Sequence, residues 1–253
     1  MSGGDIPRIV IAHLYPELLN LYGDTGNVTV LRRRLEWRGI PCEVRRHALG
    51  DDLVLSDADI LFVGGGADST QRVVCEEMVR NSRAIRAHFE DGGVILAVCG
   101  GYQLLGTEYS LGDEVLPGVG LIDVRTERGG TRLIGDVVAE ALDAGYAPEG
   151  QSIVGFENHG GRTRLGEGVR PFARIVSGHG NDGESGLEGA VALNLLGTYL
   201  HGPLLPKNPH VADELLRRAI ARRVGDEGIS LPPLDDSLEA ATRRALRGRI
   251  MGR

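Results

Sequence analysis

The chain has 253 residues, 42% of them hydrophobic and 25% charged, and a formal net charge of −7. Such a composition fits a globular protein long enough to bury its own core, and the negative balance argues against nucleic acid or an anionic membrane surface as the main partner. Aromatics make up only 4% while glycine numbers 38, so small aliphatic side chains and tight turns must build the molecule.

The three cysteines, Cys42, Cys75 and Cys99, stand far apart with no CxxC or Cys/His cluster. That spacing predicts no metal site and no disulfide framework, and points to a reducing cytoplasm. The opening stretch MSGGDIPRIVIAHLY lacks the basic and apolar regions of a leader, and no run reaches the ~18 apolar residues of a membrane span.

In chain order, residues 8–15 (RIVIAHLY) read as a buried strand. Residues 27–40 carry apolar side chains at helical spacing and close at Gly39. Residues 41–49 form a second strand, and 58–66 (ADILFVGGG) a third that stops at three glycines. A helix is expected over residues 71–93, then a fourth strand at 94–98 (VILAV) and a helix beginning at YQLLGTEY. Strands that are continuous apolar runs, alternating with helices, indicate a doubly wound, mostly parallel α/β sheet with helices on both faces.

Beyond residue 112 the pattern becomes short β-like pieces between glycine-rich turns, which predicts an antiparallel ribbon that rejoins the main sheet near residues 191–199. PHVADELLRRAIARRVG is a last helix of this unit. Residues 226–253 are an Arg-rich C-terminal extension, helical or partly disordered. The expected division is therefore 1–225 and 226–253.

The chemistry concentrates at GGVILAVCGGYQLLG. A strand that turns sharply into a helix thrusts the turn residue out of the sheet, and small neighbours permit the turn. The helix aims its first N–H groups and the positive end of its dipole at that residue, which favours a thiolate. Cys99 could be a small buried hydrophobe, but Gly100 and Gly101 make it a nucleophile elbow that carries sulfur. In open α/β sheets such strand ends are where ligands bind. Of the seven histidines, His201 in LNLLGTYLHGPLL follows an apolar strand and should share the rim of Cys99. His159 in GFENHGG is the second candidate base. Gly202 and Pro203 follow His201, with no carboxylate nearby in sequence to orient the imidazole.

These residues resemble the class I glutamine amidotransferases, a flavodoxin-like fold. FVGGGAD, AVCGGYQLLG and GTYLHGPLL occur in that family's order. GGYQLLG, and HG in place of His-Pro-Glu, are similar to the cobyric-acid-synthase-like branch. Within it, LYGDTGNVTVLRRRLEWRGI, GGGADSTQ and GFENHGGRT look most like the GatD-type glutaminase subunits of lipid II isoglutaminyl synthases. The resemblance implies hydrolysis of L-glutamine to glutamate and ammonia through a thioester on Cys99, with His201 as acid and base. It implies an oxyanion held by Gly100 and by Gly65 or Gly66, with Arg132 and Gln103 on the substrate. It implies no cofactor in this chain, and a MurT-like Mur-ligase partner that supplies the ATP site and receives the ammonia. Because His-Pro-Glu is absent, that partner is also expected to bring the third catalytic carboxylate. Alternatives are a glutaminase feeding another synthetase, such as one of the cobyric-acid type, and a non-catalytic module with a redox-responsive cysteine.

Overall fold

The computed structural model describes residues 7–111, 114–142 and 145–252. The first six residues, part of the stretch read above as lacking a leader, and Arg253 at the end of the Arg-rich tail lie outside the described residues. Among the described residues no helix is long and apolar enough to cross a membrane.

The main sheet contains β1 (Ile9–Leu14), β2 (Cys42–His47), β3 (Ile60–Val63), β4 (Val94–Val98), β11 (Ala190–Ala192) and β12 (Leu195–Thr198). Their order is β11-β12-β4-β3-β1-β2, and all neighbouring pairs are parallel except the β11–β12 hairpin. Every residue of β1, β3, β4 and β12 is buried, which is why these strands are nearly continuous apolar runs, with His13 and Thr198 the polar exceptions. Helices α1 (Thr25–Glu36) and α6 (Pro209–Val224) pack against each other and on this sheet, with α2 (Asp68–Arg80) and α3 (Ser82–Glu90) between β3 and β4. Gly225, in the left-handed region at φ 69°, caps α6.

A second sheet holds β5 (Glu108–Leu111), β6 (Glu114–Pro117), β7 (Val124–Ala141), β9 (Ala173–Ser177) and β10 (Leu187–Glu188), while β8 (Ser152–Leu165) pairs with β7. The 18-residue β7 and 14-residue β8 form a long antiparallel ribbon whose register shifts between Arg128 and Leu133. As expected, the chain then returns to the main sheet, through β11 and β12. The remaining helices are α4 (Gly100–Leu104), α5 (Leu204–Lys207) and α7 (Ser237–Ile250). Arg34 of α1, 2% exposed, grips Asp213 of α6 and Asp236 just before α7, so the C-terminal segment is tied to the sheet's helical cover.

Three expectations about elements need correction. The single helix over 71–93 is two, broken where Asn81 leaves helical geometry at φ −90°, ψ 8°. The helix after Cys99 stops at Leu104, because Gly106 and the start of β5 at Glu108 follow immediately. The ribbon pieces around residues 118–128 and 131–141 merge into one strand, since the glycines between them only shift the register.

Candidate active site

Cys99 joins β4 to α4 with φ 50° and ψ −107°, a conformation strained for any residue with a Cβ. Its own N–H is fixed to the Thr198 carbonyl at 2.8 Å. The turn is possible because the next segment comes so close to β3: the Gly101 N–H bonds the Gly64 carbonyl at 3.1 Å, and a Cβ on Gly101 would lie 2.6 Å from the Val63 oxygen. Cys99 is 5% exposed and lines a cavity of about 390 Å³.

His201 lies just past β12, the parallel neighbour of β4, so it reaches the same carboxyl rim. The ribbon holds it there by a two-way backbone bridge, in which the His201 N–H donates to the Phe156 carbonyl at 2.7 Å and the Phe156 N–H returns a bond at 3.3 Å. The geometry of Gly65 fixes how tightly the centre is gathered. A Cβ built on Gly65 would lie 2.7 Å from His201 Cε1, 3.2 Å from Cys99 Cβ and 3.2 Å from Asp24 Oδ2.

Asp24 is the residue that sequence reasoning missed. Its Oδ1 is 3.3 Å from His201 Nδ1, and its Oδ2 accepts the Gly65 N–H at 2.7 Å. Both side chains are fully buried. The sequence shows no carboxylate beside His201, and the structure brings the Asp24 carboxylate of this chain to within 3.3 Å of its Nδ1. The acid does not follow the histidine but precedes it by 177 positions, on the turn after β1. Burial by itself would lower the His201 pKa; the adjacent Cys99 sulfur and Asp24 carboxylate outweigh it and raise the pKa from 6.5 to about 10. An imidazolium is thereby favoured beside the sulfur. Nε2, the ring nitrogen not turned to Asp24, makes no hydrogen bond among the described residues.

Gly100 packs against the Gly66 loop, a Cβ on Gly100 lying 3.3 Å from the Gly66 nitrogen. Of the two loop glycines, Gly65 donates its N–H to Asp24 Oδ2 at 2.7 Å, and Gly66 lines the cavity.

Arg132 lines the cavity from β7, with its Nε on Asn158 Oδ1 at 2.9 Å. Arg128 lines the cavity as well. Gln103 sits on the floor, its Nε2 donating to the Tyr199 hydroxyl at 2.9 Å and its Oε1 facing Gln71 Nε2 at 3.4 Å. His159 lies flat on Tyr199, with ring centroids 3.6 Å apart, and uses Nδ1 on the Gly161 carbonyl at 2.9 Å. That stacking and bonding suit a wall of the cavity. Cys42 and Cys75 pack against the core, and burial pushes both thiols up, Cys42 to about 11. Tyr22, Gln71, Asn158 and Tyr199 lie within the stretches that carry the family resemblance but are not singled out there, because each acquires its place only when distant segments meet.

A thiol on a strained elbow beside an imidazole–carboxylate pair can form and hydrolyse a thioester. A family model of the CobB/CobQ-like glutamine amidotransferase domain matches residues 10–209. The chain belongs to this family. The amidotransferase is 38% identical over 94% of its length to the GatD subunit of the glutamine-hydrolysing lipid II isoglutaminyl synthase of Staphylococcus aureus, covering 95% of that protein. It is 35% identical over 93% of its length to the GatD subunit of Streptococcus pneumoniae, covering 89% of that one. In fold, the amidotransferase also resembles the PurLQS structure from Thermotoga maritima, with a TM-score of 0.55, 17% identity, and coverage of 87% of this chain and 99% of that one.

Proposed function

We propose that this amidotransferase is the glutaminase subunit of a lipid II isoglutaminyl synthase, and that it works in the cytoplasm with a Mur-ligase-like partner. The observation that carries the reading is the gathering of Cys99, His201 and Asp24 around Gly65, beside a cavity of a size suited to a small amino acid. Similarity to GatD subunits over nearly the whole chain supports the choice of acceptor.

In this mechanism the Cys99 thiolate attacks the side-chain amide carbon of glutamine. The Gly100 and Gly66 N–H groups receive the developing oxyanion, each such donor typically contributing about 3 kcal/mol. His201 passes its proton to the departing ammonia and leaves a thioester on Cys99. Neutral His201 then takes a proton from water, hydroxide attacks the thioester, and glutamate departs as the thiolate is restored. Arg132 binds the substrate's α-carboxylate and Gln103 shapes the floor. The ammonia passes to the partner, which binds ATP and amidates the D-glutamate α-carboxyl of the lipid II stem peptide.

The test is co-purification with a Mur-ligase-like subunit, followed by two assays: glutamate release from glutamine, and mass gain on the lipid II stem peptide. Both should require Cys99 and glutamine. Glutamate release without any amidation of the stem peptide would replace the acceptor and keep the glutaminase.

A further inference from the structure

We propose that Tyr22 is a positioning residue that ties the recognition wall of the cavity to its acid–base group: its ring lies against the His201 imidazole, and its hydroxyl, through Asn158, holds the Arg132 guanidinium. The proposal rests on the glutaminase reading above and adds a residue to it.

The conformation of Tyr22 is the first observation. It has φ 58° and ψ 22°, and Gly23 follows at φ 77°. For a bulky side chain such as tyrosine, a left-handed conformation is rare and persists only where surrounding contacts enforce it. The turn is firmly seated. The Leu21 N–H donates to the Gly65 carbonyl at 2.9 Å. Asn20 closes the loop, its carbonyl accepting the Gly23 N–H at 3.2 Å and its Oδ1 the Thr25 N–H at 2.8 Å. The reversal lays the Tyr22 ring edge-on to the His201 ring, 5.1 Å between centroids, and against Phe156 at 5.8 Å. A tyrosine placed only to fill the core would be buried. Tyr22 stays 41% exposed, so apolar burial does not account for the strain.

Arg132 supplies the second observation. Pairing between β7 and β8 lapses between Arg128 and Leu133, so the ladder with β8 does not fix the backbone that carries Arg132. Asn158 of β8 holds the side chain instead: its Oδ1 accepts the Arg132 Nε–H at 2.9 Å, and its carbonyl accepts from Nη2 at 3.3 Å. With Oδ1 taken by the guanidinium, the amide nitrogen Nδ2 donates to the Tyr22 hydroxyl. An amide engaged at both its oxygen and its nitrogen is fixed in one orientation. Phe156 and Asn158 stand two residues apart on one face of β8, so the Tyr22 side chain runs along that face from one to the other. Phe156 in turn bridges the His201 backbone in both directions. A single side chain therefore lies against the imidazole that moves the proton and sets the amide that orients the substrate clamp.

The test is Tyr22→Phe in the chain with its partner bound, alone and combined with Arg132→Ala. Phenylalanine keeps the ring beside His201 and removes the acceptor for Asn158. The expected result is a KM for glutamine raised about 3–10-fold, the effect of one neutral hydrogen bond, with kcat within about twofold. In the Arg132→Ala background the same change should leave KM where that background sets it, because the link ends on a side chain no longer there. Tyr22→Ala withdraws the ring as well and should add a fall in kcat of about tenfold, which Tyr22→Phe recovers. A merely structural tyrosine would lower the thermal midpoint and raise KM by the same factor in both backgrounds, and that result overturns the proposal. So does an unchanged KM in Tyr22→Phe, or a kcat in Tyr22→Ala equal to that of Tyr22→Phe. Cys99→Ala run beside these separates the two levels: if that variant still releases ammonia, the glutaminase reading fails, whereas a silent Cys99→Ala with KM unmoved in Tyr22→Phe sinks only Tyr22.

Discussion

The two sheets contribute to the cavity in different ways. The parallel-sheet unit brings Cys99 and His201 from the ends of β4 and β12 and Asp24 from the start of α1, and all three are buried and fixed by backbone hydrogen bonds or buried side-chain contacts. The ribbon brings Arg132, Asn158 and His159 from long strands that face the opening, with Arg132 and Asn158 meeting at its exposed side. Reacting atoms need placement to a few tenths of an ångström, and a rigid buried rim supplies it. A wall that admits and releases a charged amino acid gains more from reach and solvent access. The backbone bridge between Phe156 and His201 joins the two, so the ribbon also braces the histidine.

This division predicts that changes on the parallel rim damage turnover and changes on the ribbon damage binding. The largest effect should come from Cys99→Ala, which removes the nucleophile and leaves the strained backbone in place. Glutamine hydrolysis should fall by at least about 10³-fold. A glutamine-analogue electrophile should no longer attach, whereas Cys42 and Cys75, with thiols pushed up by burial, should stay unlabelled in the unaltered protein. Labelling at Cys75 with Cys99 spared would revive a redox role for the chain in place of catalysis.

The ribbon's counterpart is Arg132→Ala. Loss of a charge-assisted clamp on the substrate carboxylate should raise KM for glutamine about 10–100-fold, with kcat within about threefold. Arg132→Lys should recover little, since a point charge cannot reproduce the planar fork. An equal fall in kcat with KM unchanged would mean that Arg132 belongs to the reacting centre and that the split between the sheets is wrong.

How much of this was legible beforehand follows the same line. The parallel strands announced themselves because burial on both faces makes them apolar runs, and the elbow because Cys99, Gly100 and Gly101 sit at a period change from strand to helix. The rim shared by Cys99 and His201 followed from strand ends alone. Asp24 did not follow, since nothing local in LYGDTGN marks a residue that contacts a histidine 177 positions later. Nor did the hydrogen bond by which the same acid holds the Gly65 amide, since it joins residues 41 positions apart. On the ribbon, the β-like character was legible, but the continuity of β7 through Gly129 and Gly130 was not. There the pairing with β8 stops at Arg128 and resumes at Leu133 with a shifted register, and β7 runs on through the gap.

A milder intervention tests how firmly the elbow is held. Gly101→Ala would place a Cβ 2.6 Å from the Val63 carbonyl and 2.7 Å from its Cγ1, contacts that rigid β3 can relieve only by moving. The expected cost is about 1–3 kcal/mol of stability by chemical denaturation, together with reduced kcat as Cys99 shifts. Unchanged stability and activity would mean that the turn is looser than its dihedrals imply.

The smallest effect should come at the seam between the sheets. The Tyr199 hydroxyl takes a hydrogen bond from Gln103 Nε2 at 2.9 Å and lies 2.5 Å from Thr163 Oγ1 on β8. Tyr199→Phe keeps the ring that His159 stacks on and removes only this link. Thr163 retains its 2.7 Å contact with Thr126, so the main loss falls on Gln103, left with an unpaired buried N–H at about 1–2 kcal/mol. Gln103 is on the cavity floor between the reacting rim and the recognition wall. A few-fold rise in KM at constant kcat would place the seam with recognition, as the division between the sheets requires; a fall in kcat alone would assign it to the chemistry and merge the two regions into one unit.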